Sequence, residues 1–257
     1  MTKYLAADWQ DFLQSHKLAS FDDLWDKDLE WFEAPNYGRS KNGWSGVCRI
    51  EVDGRVMYLK KQENFYTYSL RHPLGITVAQ KEFDNIQYFN SLDIPCLKVL
   101  YFGVRKHKGK LQAMLMTEGL EGYLPFNQIT KLYQKEHFSL DRRRQLLRAI
   151  ASFLREAHEK NVMHFCLYSK HIFVDENFVK TGEVGNRPVC RFIDMEKSCK
   201  ANYQSKKQMR DLDTLNRRTP YWSKVDRLVF ILAYLHKGAV DKDVKSFYMC
   251  LSRISKK

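Results

Sequence analysis

Paired cysteines, a long apolar run and a compositional linker are all missing from this chain. None of the six cysteines stands in a Cys-x-x-Cys pair, which argues against a structural zinc site or a thioredoxin-like centre. The longest strongly apolar run, Leu228 to Leu235, is far short of the about 20 residues that span a bilayer. The stretch from Met1 to Trp9 has no apolar core of the kind a signal peptide needs. Together these features predict reduced thiols in a cytoplasm. There is no internal repeat, no linker rich in Gly, Ser or Pro, and no compositionally disordered stretch. Acidic residues are scarce beside basic ones: 30 Asp and Glu against 43 Lys and Arg, a formal charge of +13. The excess is spread along the chain, with clusters at Arg142-Arg143-Arg144, Lys206-Lys207 and Arg217-Arg218. It suits plain solubility, and it suits an anionic partner such as nucleic acid, phospholipid headgroups or a phosphorylated substrate. No helix-turn-helix, RRM or zinc pattern supports nucleic acid, so none is expected.

What is present is enough apolar material for a core. At 257 residues and 44% hydrophobic, the chain fits one large domain or a two-lobed one. The segment before Gly38 carries Asp22, Asp23, Asp26 and Asp28 among Leu24, Trp25, Leu29, Trp31 and Phe32, and reads as an acidic, partly helical lead-in. Cys48 to Lys60 reads as two strands joined at Asp53-Gly54, a hairpin signal. Thr77 to Leu92 has helical spacing, with Val78, Glu82, Ile86 and Phe89 on one face. Val99 to Val104 and Leu111 to Thr117 read as strands around a turn at Lys106 to Lys110. Asp141 to Lys160 is the clearest helix, its apolar face formed by Leu146, Leu147, Ile150, Phe153, Leu154 and Ala157. Ile172 to Val174 and Val189 to Ile193 are short strand candidates around a Gly182/Gly185 loop, and the chain from Gln208 is mostly helical. Strands with one helix, then mostly helices, predict an α+β chain of two lobes. The division falls near Glu118-Gly119-Leu120-Glu121-Gly122, giving a small β-rich lobe over 1–118 and a helical lobe over 119–257.

Several residues are placed for chemistry on phosphate. Gly38-Arg39-Ser40-Lys41-Asn42-Gly43-Trp44-Ser45-Gly46-Val47 precedes a strand. Gly43 and Gly46 there allow backbone N–H groups to approach phosphate oxygens, although an ordinary turn has the same composition. Lys60 ends the strand Val56 to Lys61; alternation puts it on the face of Val56 and Tyr58, with Lys61 opposite. Glu82 sits in an apolar helical stripe, where a carboxylate is costly unless paired, so a partner such as Lys60 is expected. His164-Phe165-Cys166-Leu167-Tyr168-Ser169-Lys170-His171 follows the long helix. It has the outline H-R-D-L-x-x-x-N of a protein-kinase catalytic loop. Cys166 stands at the proton-acceptor position, where a thiol with a pKa near 8.5 accepts poorly from an alcohol at neutral pH. Phosphoryl transfer is loose and mainly electrostatic, so it does not depend wholly on a base. His171 stands at the second metal position, read either as a ligand or as a hydrogen-bonding group, since Mg²⁺ prefers oxygen. Asp194 follows the strand ending Arg191-Phe192-Ile193 and occupies the place of the D-F-G aspartate without its glycine; Glu196 offers a further oxygen nearby. His164 and His158 read as core histidines, and Asp175 as a strand-ending turn residue.

The ordered set Lys60, Glu82, His164-x-Cys166-Leu167-x-x-x-His171-Ile172-Phe173 and Ile193-Asp194-Met195-Glu196-Lys197 resembles the Kdo/WaaP lipopolysaccharide kinase family, closest to its InaA-like branch. Asp211-Leu212-x-x-Leu215-x-Arg217-Arg218 and Asp226-Arg227-Leu228-x-Phe230-x-x-x-Tyr234-Leu235 resemble that family's C-terminal pattern. The resemblance implies a protein-kinase-like fold and a phosphotransferase acting on an alcohol group of a lipopolysaccharide inner-core sugar. It implies ATP and Mg²⁺ as cofactors, and a place at the cytoplasmic face of a bacterial inner membrane beside an anionic glycolipid. By the same resemblance, ATP falls to Gly43, Gly46, Lys60, Glu82, Met116 and Glu118. The metal falls to Asp194 and His171, and catalysis to Asp194 with Cys166 at the base position. Members that carry the base have Asp where this chain has Cys166, which opens a second reading: a non-catalytic pseudokinase that binds nucleotide or a partner in an envelope or stress response.

Overall fold

The computed structural model describes residues 2–37, 43–70, 72–135, 138–200 and 204–254. The chain forms two compact units, Met1–Tyr88 with Leu97–Glu121, and Phe89–Cys96 with Gly122–Lys257.

The first unit is built on an antiparallel sheet. Its strands are β1 (Thr2–Leu5), β2 (Trp31–Asn36), β3 (Trp44–Val52), β4 (Arg55–Glu63), β7 (Val99–His107) and β8 (Lys110–Glu118), with a small hairpin of β5 (Tyr66–Ser69) and β6 (His72–Thr77) set apart. The order across the sheet is β1-β7-β8-β4-β3-β2. The β3–β4 hairpin turns at Asp53-Gly54, both with positive φ (49° and 71°), the backbone of a tight I′-type turn. The acidic lead-in is more than a helical preface. Its two strands take opposite edges of the sheet, and between them run α1 (Gln10–Ser15) and α2 (Phe21–Asp26), the latter capped by Ser20. Trp9, Leu13, Leu18, Phe21 and Leu24 pack on Cys48, Ile50, Met57, Leu59, Met114 and Met116, closing one face of the sheet. The aspartates stay at the rim because the apolar residues between them fill the core. The helix α3 (Val78–Asn90) buries Val78, Glu82, Ile86 and Phe89, its apolar stripe.

In the second unit α5 (Leu140–Glu159) starts at a Ser139 cap and buries Leu146, Leu147, Ile150, Phe153, Leu154 and Ala157. With it are α4 (Phe126–Lys135), α6 (Glu176–Thr181), α7 (Gln204–Arg217), α8 (Lys224–Tyr234) and α9 (Lys242–Ile254). Arg143 of α5 pairs with Asp226, which also closes a capping box with Ser223 at the start of α8. A three-stranded sheet runs β12 (Cys190–Phe192), β11 (Ile172–Asp175), β9 (Tyr123–Pro125), and a second pair joins β10 (Val162–Met163) to β13 (Cys199–Lys200). Phe89–Cys96 belongs here because its backbone and rings are used here. Phe192 N–H donates to Pro95 O (3.1 Å), Arg191 donates to Cys96 O (2.9 Å), and Phe89 meets Phe192 edge-on. The Gly182/Gly185 loop is partly helix: Asp175 caps α6 by accepting from Phe178 N–H, and Gly182 ends it in the left-handed conformation (φ 76°). A solitary one-and-a-half-turn helix has too little periodicity to be read from sequence. Among the described residues no helix is long and apolar enough to cross a membrane.

Candidate active site

In the first unit, β4 delivers two lysines to opposite faces. Lys61 is buried on the side of Met57 and Leu59, and its ammonium donates to the carbonyls of Trp25 (3.0 Å) and Lys27 (3.2 Å) in the lead-in. Burial pushes its pKa down. Lys60 points the other way, and its Nζ pairs with Glu82 Oε2 on α3. Glu82 is 3% exposed, so the ammonium is what makes a carboxylate tolerable in that stripe. Gly43 directly precedes β3, and Gly38 to Asn42 lie outside the described residues. Gly46 is inside β3, opposite Lys61. A Cβ there would stand 2.6 Å from the Trp31 ring, so the missing side chain makes room for β2. Met116 is fully buried in the core under the lead-in, while Glu118 is half-buried at the end of β8.

In the second unit, the loop after β10 is held by a residue distant in sequence. Asp211 of α7, 0% exposed, accepts from the backbone N–H of His164 and of Phe165, both at 2.7 Å. Phe165 is thereby fixed in the left-handed region, φ 56°. His158 lies 3.4 Å from the same carboxylate through Nε2 and 2.8 Å from Tyr234 Oη through Nδ1. His164 donates from Nε2 to Ile193 O (2.8 Å) and accepts at Nδ1 from Cys166 N–H (3.2 Å). It ties the loop to the end of β12 as a neutral ring, and burial pushes its pKa down. The residues 164 to 171 alone give no sign that their anchor is Asp211. In the sequence Asp211 stands out only as the first residue of the family-like pattern Asp211-Leu212-x-x-Leu215-x-Arg217-Arg218.

Beyond that anchor the loop brings Cys166 and His171 to Asp194, which follows β12. One donor atom from each lies within 4.8 Å of the other two. His171 donates from Nδ1 to Cys166 O (2.8 Å) and turns Nε2 to Asp194 Oδ2 (3.3 Å). Burial lowers the His171 pKa, against the pull of the Asp194 charge. Burial, then Asp194, raises that of Cys166. The thiol is therefore uncharged at neutral pH and unable to serve as a base. Asp194 is in the left-handed region (φ 59°, ψ 59°) and opens a 3-10 turn over Met195–Lys197. As a donor set for Mg²⁺ the three side chains divide. Mg²⁺ takes oxygen, commonly one or two protein carboxylates with substrate phosphates and water. Asp194 fits that role; the sulfur and the imidazole nitrogen do not.

One unit with a six-stranded antiparallel sheet and a lysine–glutamate pair, and a second, mainly helical unit with this loop and an aspartate after a short strand, make up a protein-kinase-like α+β fold. The solved structure of WaaP in complex with acyl carrier protein has a similar fold, with a TM-score of 0.63 at 19% identity over 92% of this chain and 95% of that one. The model of the lipopolysaccharide kinase (Kdo/WaaP) family matches residues 22–234, and the chain belongs to that family. Protein InaA of Escherichia coli (strain K12) is 29% identical over 184 residues, 72% of this chain and 81% of that protein.

Proposed function

We propose that this protein is an ATP-dependent kinase that phosphorylates a sugar of the lipopolysaccharide inner core. The observation that carries the reading is the Lys60–Glu82 pair in a chain of this family. A buried carboxylate that fixes one ammonium on a strand is the arrangement a kinase uses to hold ATP phosphates. Lys60 takes the phosphates, Glu82 orients Lys60, and backbone N–H groups near Gly43 cover them. Glu118, at the end of β8, is a further residue assigned to ATP. Asp194 holds the Mg²⁺ that accompanies ATP, whose charge offsets that of the transferring group. His171 hydrogen-bonds Cys166 O and so shapes the loop around Asp194. The acceptor hydroxyl lies near Cys166, and the loose character of the transfer makes early deprotonation unnecessary. The excess of positive charge draws the chain to anionic glycolipid at the cytoplasmic face of the inner membrane.

A second reading, a nucleotide-binding pseudokinase, is favoured by one observation: the thiol at the base position is buried and its pKa is raised. The two are separated by incubating the protein with Mg-ATP and delipidated core oligosaccharide and following phosphate onto sugar. The kinase reading expects transfer by the wild type and a loss of at least about 10²-fold in Asp194→Ala. Nucleotide binding with no phosphate on any core sugar sinks it in favour of the pseudokinase.

A further inference from the structure

The cluster of buried Cys166 and His171 with half-buried Asp194 lies wholly in the second unit, and its sulfur and nitrogen are not magnesium donors. We propose that it binds a thiophilic divalent cation, Zn²⁺ foremost, through Cys166 Sγ, His171 Nε2 and an Asp194 carboxylate oxygen.

His171 is oriented by the loop, with one ring nitrogen on Cys166 O and the other toward Asp194. Nδ1 lies 2.8 Å from Cys166 O, and a carbonyl only accepts, so Nδ1 carries the ring proton. Nε2 faces Asp194 Oδ2 at 3.3 Å, an ion pair when the ring carries a second proton. A divalent cation in place of that proton joins the same nitrogen and oxygen. The spacing suits one: two ligands about 2.0–2.1 Å from a tetrahedral zinc lie about 3.3–3.4 Å apart. Sulfur about 2.3 Å from the same zinc stands about 3.5 Å from each of them, so Cys166 Sγ needs to move by at most about 1.3 Å, within reach of a side-chain rotation. Ligating histidines ordinarily donate their other nitrogen to a carbonyl or carboxylate that fixes the tautomer; Cys166 O does this here.

Charge and access agree. On binding, the Cys166 thiol proton passes to solvent, and thiolate and carboxylate together balance the two charges of the cation. Three ligands leave the fourth tetrahedral position open. The Asp194 side chain keeps 29% of its exposure, against 7% for His171, so the cation enters past the carboxylate toward the buried sulfur and nitrogen. Left-handed backbone at both Phe165 and Asp194 brackets the cluster, and such conformations gather at functional sites. The lack of a Cys-x-x-Cys pair bears on sites whose ligands are close in sequence. Here the third ligand arrives from beyond β12. The site shares Asp194 with the kinase reading but does not depend on it, because zinc binding is measured without nucleotide.

The test is a titration of the purified full-length chain, stripped with chelator, with Zn²⁺ against a chromophoric competitor and with Co²⁺ as a spectroscopic probe. One Zn²⁺ per chain is expected, with a thiolate-to-Co²⁺ charge-transfer band and the intense visible absorption of four-coordinate cobalt. Cys166→Ser removes the charge-transfer band. It and His171→Gln each weaken Zn²⁺ by at least about tenfold, since losing a ligand costs no less than losing an outer partner. Cys250→Ser, at an exposed thiol, changes neither. Circular dichroism shows whether each variant folds, and if Cys166→Ser does not, the wild-type band and its survival in Cys250→Ser still decide. The proposal is overturned if the wild type fails to compete for Zn²⁺ or shows no charge-transfer band. It is equally overturned if a folded Cys166→Ser retains the band, or if Cys250→Ser abolishes it.

Discussion

Replacing Asp211 by alanine tests how the loop at 164 to 171 is held. The carboxylate is 0% exposed and accepts two backbone N–H groups at 2.7 Å. Alanine leaves both donors without this partner, that of His164 buried and that of Phe165 half-buried in the second unit. A donor left unsatisfied in the interior costs about 1–3 kcal/mol, so two cost about 2–6 kcal/mol. One term offsets this. Phe165 is held at φ 56°, a conformation that costs on the order of 1–3 kcal/mol for a non-glycine residue, and the freed loop relaxes part of it. The expected net loss is about 3 kcal/mol, a large fraction of the roughly 5–15 kcal/mol that keeps a domain folded. Urea unfolding at constant m reads it directly, and the melting temperature is expected to fall by roughly 6–12 °C. Asp211→Asn keeps one acceptor and turns an amide N–H toward the other donor, so its loss should lie between wild type and alanine. An Asp211→Ala protein within about 1 kcal/mol of wild type refutes the reasoning, because the two N–H groups must then have other acceptors.

Gly46→Ala puts a Cβ 2.6 Å from the Trp31 ring and should cost about 1–3 kcal/mol by overpacking; the same substitution in a Trp31→Ala background should cost measurably less, and equal costs in both backgrounds count against the packing account. Removing residues 1–30 strips Trp9, Leu13, Leu18, Phe21 and Leu24 from the sheet. At about 1.5–3 kcal/mol per buried side chain this is on the order of 10 kcal/mol, and the truncated chain is expected to be insoluble; a folded, monomeric product would contradict it. Thiol labelling of the native protein should modify Cys250 and, more slowly, Cys199, and spare Cys48, Cys96, Cys166 and Cys190, which are buried. Burial pushes the Cys96 thiol up to about 12, and rapid labelling of Cys96 would show that the second unit opens readily.

The local periods of this chain are legible residue by residue. The turn at Asp53-Gly54, the helix over Leu140–Glu159 and the stripe of Val78, Glu82, Ile86 and Phe89 are all written in neighbours that share a face. So is the order lysine strand, glutamate helix, loop and aspartate, on which the family resemblance rests. The fold class followed from these, because local hydrophobic spacing determines what each segment becomes. Other features depend on partners far away in the chain, which no local period encodes. The lead-in read as an acidic preface, yet its two strands form opposite edges of the sheet and its apolar side chains close one face. Gly46 read as part of a phosphate loop, and the Trp31 ring supplies a different reason for it. Asp211 was visible only as part of a pattern, until α7 carried it to the amides of His164 and Phe165. The sequence by itself determined the order of Lys60, Glu82, the loop at 164 to 171 and Asp194 along the chain. The tertiary structure decided where their lone pairs point. The Cys166 carbonyl holds the proton on His171 Nδ1 and turns Nε2 to Asp194, a matter of hydrogen-bond direction that exists only once the chain has folded.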